Sequence, residues 1–182
     1  MKRLFVLVSI LISTGLSAQI LGRHHIEAGT GLAIPKELFF ANQLTEASTV
    51  NFYGEYRYDI TSAFSVGAMY NFVLPHEGAG ETLKVMTGSH TLNALAEYKF
   101  GPYGPMSFFL GLGAGAQMRS VTTDVQSSLE PYYWSTDLLV RAGLEFFKHL
   151  RISVGHCHDL YYPLSFLSHG APFYYINIGW SF

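Results

Sequence analysis

The chain has 182 residues, a net charge of −2 with neutral histidines, and a charged fraction of only 13%. This length suits a single domain. The sequence has no Lys/Arg cluster, so nothing in it suggests a nucleic-acid-binding surface. The single cysteine, Cys157, excludes an internal disulfide bond and a paired-cysteine metal or redox motif. Aromatic residues reach 15% and the mean hydropathy is +0.20. These apolar residues are dispersed along the chain, so their spacing carries the structural information.

The N-terminus has the layout of a secretory signal peptide. Lys2 and Arg3 precede the apolar stretch "LFVLVSILI", and the small residues of "STGLSAQ" follow it. The apolar stretch is shorter than the ~20 residues that a membrane-spanning helix needs. We therefore predict a signal peptide over residues 1–18, cleaved after Ala18, and one domain over residues 19–182 that works outside the cytoplasm.

Eight segments after residue 19 alternate apolar with polar or small residues at a period of two, which is the pattern of a strand with two different faces. In "TVNFYGEYRYDI", for example, Val50, Phe52 and Tyr56 alternate with Asn51 and Glu55. We predict one strand for each segment. The segments are residues 22–34, 49–60, 62–73, 89–100, 106–118, 132–146, 149–162 and 173–182.

The connections between these segments alternate in length. "DITSA", "GPYGP" and "FKH" are short, whereas "PKELFFANQLTEAS", "LPHEGAGETLKVMTG", "RSVTTDVQSSLEP" and "PLSFLSHGAP" are long. An even number of strands with this alternation is typical of an outer-membrane barrel. The sequence predicts an all-β fold, an eight-stranded antiparallel up-and-down transmembrane β-barrel with short periplasmic turns and long extracellular loops. A secreted β-sandwich or a lipocalin-like barrel is the alternative interpretation.

The two faces of the predicted strands differ in charge. One face is almost free of charged residues and suits lipid, because spanning strands must close into a barrel with apolar side chains outside. The other face would line an interior that eight strands leave just wide enough for side chains. We expect Gly111, Gly113 and Gly115 to leave room there for Arg141, and charges of both signs to pair into a structural network. The predicted lumen charge network is Glu55, Arg57, Asp59, Glu97, Lys99, Asp137, Arg141, Glu145 and Arg151.

This layout, together with the terminal "YINIGWSF", resembles the small eight-stranded outer-membrane barrels of the OmpA/OmpX type, and especially the outer-membrane β-barrel domain proteins of Bacteroidota. The resemblance covers residues 20–182. It implies a location in the outer membrane, with outer-membrane lipids and the barrel-assembly machinery as partners. It also implies that the last strand carries the signal read by that machinery, namely Tyr174, Ile176, Ile178, Trp180 and Phe182.

The function predicted from this interpretation is non-enzymatic, with no cofactor, no metal and no nucleic acid. The barrel would present its loops for envelope structure, adhesion or the binding of a partner protein. The apolar loop segments "ELFF" (37–40) and "PLSFL" (163–167) are predicted to contact the membrane surface or such a partner. Two alternatives stay open, a lipid A-modifying deacylase or acyltransferase and a narrow channel.

The stretch "GHCHDLYY" is the densest in chemically active residues. His156 and His158 share one face of a strand, a spacing that could hold a metal. If the strand is regular they face outward near the rim, whereas a bulge at Gly155 would turn them inward. Ser153 with His156, or Ser168 with His169, are candidate nucleophile–base pairs for the enzyme alternative, although neither matches a motif of those enzymes. The adjacent His24 and His25 point to opposite faces and make a poor chelate.

Overall fold

The computed structural model describes residues 23–35, 48–77, 85–103, 105–123, 132–159 and 173–182. The predicted signal peptide, residues 1–18, lies outside these ranges, and so do the loop segments 37–40 and 163–167 and the pair Ser168–His169. No helix long and apolar enough to cross a membrane occurs among the described residues.

Eight antiparallel strands form a closed barrel in which each strand pairs with its neighbours in sequence and β1 pairs with β8. This confirms the predicted all-β, eight-stranded up-and-down barrel. The strands are β1 (His24–Pro35), β2 (Thr49–Asp59), β3 (Phe64–Glu77), β4 (Val85–Tyr103), β5 (Met106–Thr123), β6 (Tyr132–Phe146), β7 (Leu150–Asp159) and β8 (Phe173–Ser181). The short connections lie at one end, called the turn end, and the four long connections at the other, called the loop end.

Strands β3, β4 and β5 extend further towards the loop end than predicted. Residues 74–88 were expected to form a loop, but β3 continues to Glu77 and β4 begins at Val85. The register shifts between Val73 and His76, on either side of Pro75, which has no N–H to donate to a ladder. A bulge thus lets pairing resume past the proline. The alternation of residue types is weak in this region, so the sequence pattern did not reveal these extensions.

The turn between β6 and β7 has an unusual backbone. Phe147 and Lys148 have φ angles of 54° and 65°, so two residues that are not glycine occupy the left-handed region. Two such residues in succession fit the mirror-image turn that suits the twist of a β-hairpin. The Phe147 N–H donates to the Pro105 carbonyl at 2.7 Å, which joins this turn to the turn between β4 and β5.

The two faces of the barrel wall are reversed with respect to a water-soluble barrel. Leu112 and Trp134 point outward and are 64% and 69% exposed, whereas Arg57 and Arg151 point into the lumen and are 1% exposed. Wherever a strand side chain is described, each Asp, Glu, Lys or Arg lies on the lumen face. Charge is therefore inside and the apolar surface is outside, as the alternation in the sequence predicts.

Candidate functional site in the barrel lumen

The turn-side half of the lumen is filled by ionised side chains from five strands. Arginines on β2, β6 and β7 meet glutamates on β1, β2, β4 and β6, and a lysine on β4 joins them from the turn end. We call this group the charge plug. Its members are Glu27, Glu55, Arg57, Glu97, Lys99, Arg141, Glu145 and Arg151.

Arg141 crosses the lumen from β6. Its Nη2 atom donates to Oε1 of Glu55 at 2.6 Å and to Oε2 of Glu97 at 2.7 Å. Its Nη1 atom donates to the second oxygen of Glu55, so the Arg141–Glu55 pair is bidentate. A Cβ atom at Gly111 would lie 3.0 Å from Cγ of Arg141, which shows that the glycine leaves the space that the arginine side chain occupies.

Arg151 and Arg57 link the remaining carboxylates. Arg151 donates from Nη1 to Oε2 of Glu27 at 2.8 Å and from Nη2 to Oε1 of Glu97 at 2.7 Å. The Arg151 guanidinium also lies 3.7 Å above the ring centroid of Phe109. Arg57 donates from Nη1 to Glu97 at 3.0 Å and from Nη2 to Glu27 at 3.1 Å. Glu97 is therefore shared by all three arginines.

Tyr53 completes the shell around Glu27. Its hydroxyl donates to Oε1 of Glu27 at 2.6 Å. Glu27 and Glu55 face each other directly across the β1–β2 ladder, an arrangement that is unfavourable for two like charges. Arg57 and Arg151 each contact both carboxylates, and this attraction opposes the repulsion between the two like charges.

The four cations and four carboxylates of the charge plug balance in formal charge. A buried charge is tolerated only when it is paired and hydrogen-bonded, and here each carboxylate contacts at least two cations. Such a network acts as a rigid packing element rather than as a row of free ion-binding positions. It occupies the bore of the barrel.

Two predicted lumen charges lie outside the charge plug. Asp59 is near the turn end, where His25 Nε2 lies 2.9 Å from its Oδ2. Asp137 is on the loop side of the plug, where Asn93 Nδ2 donates to its Oδ2 at 3.0 Å and the Cys157 thiol donates to its Oδ1. The other seven predicted residues belong to the plug.

Glu27 was missing from the predicted network. It lies between Ile26 and Ala28, which point outward, so the period of two already assigns it to the lumen face. The sequence pattern therefore contained the signal for Glu27. The contact of Phe109 with Arg151 depends on barrel geometry and has no such signal.

The loop-side half of the lumen is lined by amides and hydroxyls. Asn51 Nδ2 donates to Oδ1 of Asn71 at 2.9 Å and to Oδ1 of Asn177 at 3.0 Å. Thr91 faces Asn71 directly across the β3–β4 ladder. We call the residues Asn51, Asn71, Ser89, Thr91, Asn93 and Asn177 the amide layer.

The histidines of "GHCHDLYY" lie on the outer surface. The β6–β7 and β7–β8 ladders run through Gly155 without a register shift, so the bulge that would turn His156 and His158 inward does not form. Their ring centroids are 5.9 Å apart, and His156 packs against Tyr174 at 4.6 Å. Ser153 lies on the lumen face, so the barrel wall separates it from His156 and the two cannot act as a nucleophile–base pair. In the part of the chain that the structure describes, no three His, Cys, Asp or Glu side chains are grouped to hold a metal ion.

Comparisons with known proteins support the barrel fold and nothing finer than the fold. No protein-family model matches the chain, and no curated protein sequence matches it. Solved structures do match, and the three that follow are of similar length. Neisserial surface protein A has a TM-score of 0.56 at 15% identity, covering 87% of this chain and 94% of that chain. Ail, the attachment invasion locus protein of Yersinia pestis, solved with the heparin analogue sucrose octasulfate, has a TM-score of 0.51 at 16% identity, covering 88% and 98%. The outer membrane enzyme PagL has a TM-score of 0.51 at 17% identity, covering 86% and 97%.

The fold is that of the small eight-stranded outer-membrane barrels. Identities of this size support the fold and not a shared activity. The narrower resemblance to barrel domain proteins of Bacteroidota stays a prediction, because no family model matches.

Aromatic and histidine side chains lie in two outward rows near the ends of the barrel. Phe52 faces Phe72 across the β2–β3 ladder near the loop end, and Phe100 faces Phe108 across the β4–β5 ladder near the turn end. His90 joins the loop-end row, where the Tyr70 hydroxyl lies 2.6 Å from its Nδ1. Two aromatic rows separated by an aliphatic band are the expected side-chain arrangement at the two interfaces of a bilayer.

Proposed function

We propose that the protein is an integral outer-membrane β-barrel without catalytic activity, whose charge plug closes the bore and whose rigid wall presents the loop-end segments to the exterior. The observation that carries this proposal is the outward face, which holds large apolar side chains and no Asp, Glu, Lys or Arg at any strand position whose side chain the structure describes. Such a face is costly in water and suits lipid.

The proposed outer-membrane location requires that the chain is secreted and then inserted into that membrane. The signal peptide over residues 1–18 and cleavage after Ala18 belong to this proposal, as does recognition of the last strand by the barrel-assembly machinery. In β8, Ile176, Ile178 and Trp180 point outward and β8 pairs with β1. These contacts support a role for that strand in closing the barrel.

The barrel would serve as an anchor for loop contacts with an envelope or extracellular partner. The apolar segments 37–40 and 163–167 would make those contacts. Replacing Leu38, Phe39 and Phe40 together with serine is expected to abolish co-purification of such a partner. Unchanged partners and unchanged membrane association would remove this part of the proposal.

The enzyme and channel alternatives have weaker support among the described residues. The Ser153–His156 pair is separated by the wall, and the bore is occupied by the charge plug. Barrels of this fold include an attachment protein and an enzyme, so the fold does not decide between these roles. An unchanged lipid A mass spectrum on expression, and no discrete conductance in planar bilayers, are expected.

Cell fractionation and gel migration test the proposal directly. The mature protein should be found in the outer-membrane fraction, and its unheated sample should migrate differently from its boiled sample on a denaturing gel. Recovery of the protein from the soluble periplasmic fraction would contradict the proposal.

A further inference from the structure

Two histidines lie side by side on the outer wall of the barrel. His156 and His158 are two residues apart on β7, so both point outward. Their ring centroids are 5.9 Å apart and the ring planes are tilted by 35°. His158 is exposed and His156 is half-buried. The Nδ1 atom of His156 is buried, so Nε2 is the nitrogen through which this ring can reach a ligand.

The other outward strand histidines in the described part of the chain are single. The Nδ1 atom of His24 lies 2.7 Å from the Tyr56 hydroxyl, and that of His90 lies 2.6 Å from the Tyr70 hydroxyl. The rings of His24 and His90 pack against tyrosine and phenylalanine rings. Such contacts suit an interfacial side chain that has an apolar body and a polar tip. Two adjacent imidazoles instead present two ligand nitrogens in one place.

The histidine pair lies near the loop end of the wall. His158 faces Leu138 next to the last described pair of the β6–β7 ladder, and His156 faces Tyr174 next to the last described pair of the β7–β8 ladder. The two histidines therefore continue the loop-end row of outward aromatic and histidine side chains. A metal ion would be costly in the aliphatic band, whereas water reaches this row at the interface.

The separation of the two rings matches that of two imidazoles on one metal ion. Zn²⁺ binds a histidine nitrogen at about 2.1 Å, and the ring centre lies about 1.2 Å beyond that nitrogen, so two rings on one ion have centroids at most about 6.6 Å apart. The observed 5.9 Å falls within this limit. The strand thus already holds both rings at a chelating distance.

The chemistry of the ligands selects the metal. The outward face carries no Asp or Glu at any strand position whose side chain the structure describes, and hard cations such as Ca²⁺ and Mg²⁺ need carboxylate or other oxygen ligands. The thiol of Cys157, between the two histidines, is buried and donates to Asp137 in the lumen. Imidazole nitrogens alone suit Cu²⁺, Ni²⁺ and Zn²⁺, and Cu²⁺ binds most tightly in this series.

We propose that His156 and His158 form a binding site for a late first-row divalent metal ion, Cu²⁺ most tightly, on the outer wall at the loop end. The two imidazoles supply two ligands and water fills the remaining positions, so the site is open and its ion exchangeable. The described residues hold no group of three or more ligands such as a closed structural site needs. This inference differs from the sequence-based expectation that no metal is bound.

Titration of the untagged protein, folded in detergent, with Cu²⁺ tests the site. Electron paramagnetic resonance should show one tightly bound Cu²⁺ per barrel, with splitting from two imidazole nitrogens. His156→Gln and His158→Gln should each weaken binding by about tenfold or more and leave the splitting of one nitrogen, because one of two metal–nitrogen bonds is lost. No tight binding by the parent protein, or a loss in only one of the two variants, would overturn the proposal.

His90→Gln is the matched control, because it removes a single outward histidine from the same row. Its affinity for Cu²⁺ and its splitting should equal those of the parent, and an equal loss in all three variants would contradict a specific site. Gel migration of unheated samples shows that each variant is folded.

Chelation gives a test that needs no substitution. EDTA should remove the ion and leave the gel migration of the parent unchanged, because an open site with two protein ligands does not hold the fold together. A barrel that unfolds on chelation would contradict this open site. None of these measurements requires a membrane, so their failure would leave the proposed outer-membrane function in place.

Discussion

Arg141 on β6 and Glu55 on β2 face each other across the lumen and form a bidentate ion pair, with Nη2 of the arginine 2.6 Å from Oε1 of the glutamate. This contact joins opposite walls of the barrel through its centre. The pair therefore fixes the interior in the way that a packed hydrophobic core does in a water-soluble domain. The charge plug is an inverted core, and its energetics should follow the rules for buried ion pairs.

Removing Arg141 should destabilise the barrel strongly. Arg141→Met leaves Glu55 and Glu97 buried with one cation fewer, and breaking a buried pair in this way costs about 3–5 kcal/mol. Urea unfolding, followed by the change in gel migration, measures the loss. Arg23→Met, at an exposed position before β1, is the matched control and should change stability by less than about 0.5 kcal/mol. Similar stability of the two variants would show that the plug contributes nothing to folding.

A second substitution should relieve part of the Arg141→Met defect. Adding Glu55→Gln removes the carboxylate that lost its bidentate partner, so the double variant should be more stable than Arg141→Met alone. The unfolding midpoints of the parent, both single variants and the double variant give the coupling energy. Strict additivity of the two changes would argue against direct pairing.

Two glycines on opposite faces of the wall should respond differently to alanine. A Cβ atom at Gly115 would collide with the backbone carbonyl of Leu92, whereas a Cβ atom at Gly54 would meet nothing within 4 Å. Gly115→Ala should therefore cost about 1–3 kcal/mol. Gly54→Ala should be neutral or stabilise by up to about 1 kcal/mol, because it restricts the unfolded chain. The same urea titration compares them, and an equal effect of both would contradict the packing around β5.

The outward face should reject charge in the middle of the barrel wall but not at its end. Leu112→Arg places a cation in the aliphatic band and should cost about 2–4 kcal/mol in a bilayer. Phe147→Arg, in the exposed turn at the turn end, should be tolerated. Folding yield into lipid vesicles measures both changes. Normal insertion of the Leu112→Arg variant would show that this band does not contact lipid.

The turn between β6 and β7 should be improved by glycine. Lys148 has a φ of 65°, a conformation that glycine adopts without the strain that a Cβ atom causes. Lys148→Gly should therefore stabilise the barrel by about 1 kcal/mol, measured as a shift in unfolding midpoint. Lys148→Ala is the control, because alanine keeps the Cβ and should bring no gain. Equal effects of glycine and alanine would mean that the turn stores no strain.

The period-two alternation determined most of the architecture without the structure. It assigned the strand number, the outward and lumen faces, and the lumen position of the nine predicted charges, because side-chain direction in a strand depends only on parity. It failed at the loop ends of β3, β4 and β5, where strand pairing continues beyond the alternating residues. The same alternation also assigns Glu27 to the lumen face, because Glu27 lies between two outward residues, although the predicted network omitted it.

The sequence by itself thus determined which side chains enter the lumen, since a strand offers only two directions. Only the tertiary structure decided which of them meet. Closure of β1 on β8 and the register of each ladder bring Glu97 of β4 to Arg57, Arg141 and Arg151 on three other strands. The continuous ladder through Gly155 likewise separates Ser153 from His156. Contacts across a barrel depend on the register of every strand that lies between the two partners. Alternation within one strand carries no information about that register.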